Sequence, residues 1–87
     1  MKSDLQLARV DFLILGSLKT NEAVKPMFGL TIKEMGITEV GRSCIWVHLD
    51  KLIKHELVCQ YGTYKNQKMY YITQKGLELL KGEMNNV

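Results

Sequence analysis

Eighty-seven residues, 46% apolar and 24% charged with a formal net charge of +3, supply one modest hydrophobic core and leave nothing over for a second. This composition excludes a disordered chain, in which apolar content falls and net charge rises, and it predicts a single domain over 1–87 without a catalytic cleft between domains. The two cysteines, Cys44 and Cys59, are too few for the disulfide framework of a small secreted domain.

Apolar runs are short, as at 12–15, far below the roughly 20 residues that cross a bilayer. Lys2 is followed at once by Ser3, Asp4 and Gln6, which is not the pattern of a signal peptide. The expectation is a cytoplasmic protein with no membrane partner. The positive charge is uneven: residues 1–40 hold five Lys/Arg and five Asp/Glu, whereas 41–87 hold seven and four. A surface for a polyanion is therefore expected in the second half.

The first predicted helix covers 3–19, with Ser3 and Gln6 at capping-box spacing. Leu5, Ala8, Phe12 and Leu15 form one apolar row along it, and Leu7, Val10, Ile14 and Leu18 a second. Two rows offer more apolar surface than one small core needs. Either the helix is buried all round, or the row of Leu7, Val10, Ile14 and Leu18 packs against a second copy of the chain.

Residues 20–29 contain Asn21, Pro26 and Gly29 without a period and read as a loop. A short helix follows. Thr31 and Glu34 have capping-box spacing, Leu30 and Met35 could form a hydrophobic staple, and Gly36 suits a left-handed stop. The third helix carries Ile45, Leu49, Leu52 and Ile53 on one face and ends near Glu56. It begins either at Thr38 or near Ser43, because Gly41 weakens the turn between them.

From Leu57 the period changes to two, with tyrosines, valine and isoleucine flanking a polar tip that contains glycine and asparagine. That is a β-hairpin, about 58–72. Thr73 can cap a last helix through Leu77 and Leu80, fraying at Asn85. The predicted class is α+β, mainly α: three helices, a hairpin and a C-terminal helix.

Two helices joined by a turn, the second long and amphipathic and followed by a hairpin, can place one helix in a DNA major groove with a hairpin beside it. Arg42, Ser43, Trp46, Val47, Asp50 and Lys51 lie off the core stripe of the third helix and are free for that role. The hairpin tip offers Tyr64, Lys65, Asn66, Gln67 and Lys68 for phosphates or the minor groove.

On these residues the chain resembles the winged helix-turn-helix transcriptional regulators, in particular the PadR-like and MarR-like groups. The run Ser-Cys-Ile-Trp-Val-His-Leu-Asp-Lys-Leu-Ile-Lys-His-Glu-Leu-Val at 43–58 is similar to a recognition helix leading into the first wing strand. The run Tyr-Tyr-Ile-Thr-Gln-Lys-Gly-Leu at 70–77 is similar to the return strand and the start of the next helix. With the earlier helices the resemblance covers nearly the whole chain.

It implies a sequence-specific regulator bound to double-stranded DNA, with the third helix (about 42–56) in the major groove. Ser43, Trp46, Val47 and Lys51 would face that groove, Arg42 would approach phosphates, and Lys65 and Lys68 would ride on the wing. The chain departs from the pattern in three ways. The segment between Gly36 and Ile45 is about three residues longer than in a minimal helix-turn-helix; Trp46 and Val47 stand where polar or basic residues are common; and Glu56 stands where a glycine commonly ends the helix. A homodimer is expected, because one small domain reads too few base pairs to find a site in a genome.

Other chemistries find less support. Cys44, His48, His55 and Cys59 are zinc-ligand types, but at about 1.5 Å rise per residue His48 and His55 lie roughly 10 Å apart along one helix, too far to share an ion. Cys44 near a helix N-terminus would have its thiolate favoured by the helix dipole, which is a secondary reading. No nucleophilic triad, phosphate loop or carboxylate pair occurs at useful spacing, so neither an enzyme nor a cofactor is implied. The competing reading is a winged helix used for contacts with another protein, suggested by the modest charge and by Trp46 and Val47.

Overall fold

The computed structural model describes residues 7–24 and 29–85. In chain order they form α1 (Arg9–Val24), α2 (Ile32–Met35), α3 (Arg42–Lys54), β1 (Val58–Tyr64), β2 (Gln67–Ile72) and α4 (Gln74–Asn85). This is the predicted order of three helices, hairpin and helix. None of the described helices is long and apolar enough to cross a membrane.

The expected Ser3–Gln6 cap lies outside the described residues. The end of α1 is instead held by Asp11, whose carboxylate accepts the Ala8 backbone N–H at 2.7 Å, as the third residue of a helix does in a capping box. Its other end runs five residues past the predicted stop at 19. The Thr20 hydroxyl donates to the Gly16 carbonyl at 3.0 Å, satisfying inside the helix a side chain that otherwise favours turns.

Ile14, Leu15 and Leu18 are all buried in this chain's own core, which corrects the expectation that Ile14 and Leu18 face a second copy. Burying a side chain of this size contributes roughly 1.5–3 kcal/mol, and a central helix surrounded by its own fold takes that gain from both rows. Leu7 and Val10, from the same row, are half-buried and pack against the core.

The α2 cap is as predicted. The Glu34 N–H donates to the Thr31 hydroxyl at 3.3 Å, the Thr31 N–H donates to the Glu34 carboxylate at 3.0 Å, and Gly36 stops the helix at φ 70°. Helix α3 starts at Arg42 rather than Thr38, so the additional residues enlarge the turn and do not lengthen the helix. Bidentate hydrogen bonds from Arg9 to Glu39, at 3.0 and 3.2 Å, tie that turn to the start of α1.

Ile45, Leu49 and Leu52 turn inward to meet α1, joined by Leu57, Val58, Tyr70, Ile72 and Leu80. At the end of α3 the Leu57 N–H donates to the Leu52 carbonyl and the Glu56 N–H to the Ile53 carbonyl, each at 2.9 Å. This is a Schellman motif with Glu56 at its left-handed position, φ 64°. The strain of a side chain at positive φ is accepted because the two bonds satisfy the last helical carbonyls and place Leu57 in the core.

β1 and β2 pair antiparallel from Val58↔Ile72 to Tyr64↔Gln67, with a bulge between Gln60 and Thr63. Lys65 and Asn66 form the two-residue connection at φ 52° and 65°, the signature of a type I′ turn. Leu30 adds a bridge to the outer side of β2, exchanging two hydrogen bonds of 2.8 Å with Tyr70. A Cβ on neighbouring Gly29 would stand 2.6 Å from the Tyr70 carbonyl oxygen, so this approach requires glycine. The Thr73 hydroxyl accepts the Gly76 N–H at 3.0 Å and donates to the Glu56 carbonyl at 2.7 Å, fixing α4 to the end of α3.

Candidate nucleic-acid interface

With Ile45, Leu49 and Leu52 inward, the opposite face of α3 is exposed and carries Arg42, Ser43, Trp46, Val47, Asp50 and Lys54. Trp46 is 53% and Val47 68% exposed. Gly41 precedes the helix without a side-chain cap, so the first backbone N–H groups have no capping side chain there, and the helix dipole adds partial positive charge beside Arg42.

The hairpin leans on the same face. Lys68 from β2 holds its ammonium 5.3 Å from the centre of the Trp46 ring, a cation–π contact. Arg42, Trp46, Asn66, Gln67 and Lys68 line one cleft together with Tyr70. A second, shallower depression along α3 is lined by Arg42, Ser43, Trp46, Val47 and Asp50. At the tip, the Lys65 ammonium lies 5.3 Å from the half-exposed Tyr64 ring. Burial, with the Asp50 carboxylate second, pushes the Tyr70 phenol above its usual pKa.

Lys51 departs from its expected role. Its Nζ donates to Asp11 Oδ2 at 2.6 Å, and His48 Nδ1 lies 2.7 Å from Asp11 Oδ1. An ionised carboxylate only accepts, so the bridging proton is carried by His48 Nδ1. The Asp11 side chain is fully buried. Burial alone would raise its pKa, but hydrogen bonds from Lys51, the Ala8 N–H and His48, together with the Lys51 charge, bring the net shift below the ordinary value. Lys51 thus belongs to an anchor between α3 and α1 and not to the groove-facing set.

Sequence reasoning missed this anchor because Asp11 sits among apolar residues of a predicted helix and its partners lie 37 and 40 positions away. The Leu30 bridge and the Arg9–Glu39 pair were missed for the same reason. Helical spacing did mark the rest of the exposed α3 face, and period-two alternation the wing.

The array therefore offers cationic groups at Arg42, Lys65 and Lys68, amide groups at Asn66 and Gln67, and an apolar centre at Trp46 and Val47. Cys44 and Cys59 are free thiols, each half-buried. Among the described residues no group of three or more His, Cys, Asp or Glu side chains is placed to hold a metal ion.

No protein-family model matches the chain, and no curated protein sequence does. Among solved structures, the ferric uptake regulator of Francisella tularensis, determined with iron, superposes with a TM-score of 0.63 over 97% of this chain and 80% of that one. The fold is a winged helix-turn-helix. At 12% identity the likeness speaks for the fold and not for a shared ligand. In winged-helix terms β1–β2 is the wing, a two-stranded sheet beside which Leu30 forms an isolated bridge to Tyr70.

Proposed function

We propose that this protein is a transcriptional regulator that binds double-stranded DNA as a homodimer, with α3 in the major groove and the wing on the backbone or in the minor groove. The observation that carries this reading is the cleft in which Arg42 and Trp46 of α3 meet Lys68, Asn66 and Gln67 of the wing. A helix about 10–12 Å across fits a groove about 12 Å wide. Arg42, Lys65 and Lys68 supply charge for phosphates on either side. Membership of the PadR-like or MarR-like groups is the finer form of this reading and rests on the runs at 43–58 and 70–77. The dimer pairs two such helices for two half-sites and draws on Val10 in the first turn of α1 and Leu7 just before it, with α4 as a further candidate surface.

The test is fluorescence anisotropy with a labelled random-sequence duplex at about 50 and about 200 mM salt, where several phosphate contacts should separate the affinities by orders of magnitude. Replacing Lys65 and Lys68 by alanine is expected to weaken binding to all sequences alike and to lower the salt slope by about one per lysine. An unchanged slope would remove the wing from the interface. The exposed Trp46 and Val47 favour a second reading, a protein-binding module. Absence of duplex binding at both salts would make that reading the better one.

A further inference from the structure

The centre of the exposed α3 face is short of hydrogen-bonding groups. Between Arg42 at one end and Lys54 at the other, it holds Ser43, Trp46, Val47 and Asp50. Ser43, Asp50 and the Trp46 indole N–H could bond a base edge, Asp50 only as an acceptor while ionised and the indole only as a single donor. Trp46 and Val47, adjacent in sequence and more than half exposed, leave apolar surface in water that a partner would gain by covering.

In the major groove the base edges present donors, acceptors and a single apolar group, the C5 methyl of thymine. Resting on the DNA-binding reading above, we propose that Trp46 and Val47 read thymine methyl groups, so that sequence preference arises from apolar contact in T-containing steps. The surrounding charge selects DNA over an apolar protein surface as the occupant. Lys68 sits over the Trp46 ring and Arg42 lines the same cleft, so anything touching the indole also meets cations that suit phosphates. The apolar pair fixes the bases, and the cations fix the backbone.

Uracil isolates this contact, because it keeps every hydrogen-bonding group of thymine and lacks only the methyl. The experiment measures binding of the full chain to a duplex of alternating dA and dT and to its dA and dU counterpart, at several salt concentrations. The expected result is weaker binding to the uracil duplex, by about fourfold for each methyl buried, with both duplexes showing the salt dependence of phosphate contacts. Val47→Ser, at an exposed position, is expected to narrow the difference between the duplexes, and the double variant Trp46→Ser, Val47→Ser to bind both alike.

Equal affinity of the unmodified protein for the two duplexes overturns methyl readout while leaving DNA binding intact. A preference for thymine that persists undiminished in the double variant also overturns it, since the protein would then be reading duplex shape. Failure to bind either duplex at any salt removes the DNA-binding reading and this inference together.

Discussion

Glu56 shows how one residue can be set by its place in the fold against its own preference. It occupies the left-handed position of a Schellman motif, where a side chain costs roughly 1–2 kcal/mol and glycine costs nothing in sterics. Its carboxylate reaches Lys75 only at 3.9 Å, and both side chains are well exposed, so little opposes a change there. Glu56→Gly should raise stability by about 0.5–1 kcal/mol once the greater freedom of glycine in the unfolded chain is counted. A urea titration would show this as a higher midpoint with an unchanged slope. A lower midpoint would mean that Glu56 makes a contact more valuable than the strain it carries. The sequence flagged the position as unusual. It could not show that the left-handed turn would be kept without glycine, because that depends on the carbonyls of Leu52 and Ile53 finding donors.

Between elements, the joint that matters most for the proposed interface is the one between α1 and α3. Asp11 is buried and receives Lys51, His48 and its own helix's end, so it sets how α3 is rotated and which of its residues face outward. Removing one partner of such a buried cluster leaves the others uncompensated. Asp11→Asn is expected to cost about 3 kcal/mol at neutral pH.

The pH dependence follows from the direction of the shift. A carboxylate whose pKa is lower in the folded protein contributes stability above its unfolded value, about 3.9, and loses that contribution as pH falls through the folded value. The stability gap between the natural protein and Asp11→Asn should therefore be constant from about pH 7 to pH 5 and shrink below about pH 4. Denaturant midpoints for both proteins across that range are the check. A gap unchanged down to pH 2 would show that Asp11 acts through shape and not through its charge.

At the scale of the whole molecule, the proposed regulator needs more contact than one small domain offers to choose a site. Because Ile14 and Leu18 are spent on the core, the surface proposed for pairing is smaller than the apolar rows of α1 implied, and it falls to Leu7 and Val10. Sedimentation equilibrium at about 10 µM is expected to give twice the chain's 10.0 kDa, with two recognition helices then spaced for half-sites one helical turn apart, about 34 Å. A single-chain mass, free and on DNA, would refute the dimer and require specificity from one domain alone.

The order of elements is legible in the residues alone, since it depends on local periods: 3.6 in the helices, two in the wing, with Thr31, Gly36 and Thr73 marking boundaries through bonds to neighbours a few residues away. The residues alone also mark Trp46 and Val47 as lying off the core stripe, because position around one helix is fixed by spacing. Long-range packing settles that Ile14 and Leu18 are interior, that Lys51 turns to Asp11, that Leu30 pairs with Tyr70 and that the Lys68 ammonium lies over the Trp46 ring. Each of these joins residues far apart in the chain. Their partners are chosen by burial and by the need to pair every buried charge and backbone group, and no local pattern encodes that choice.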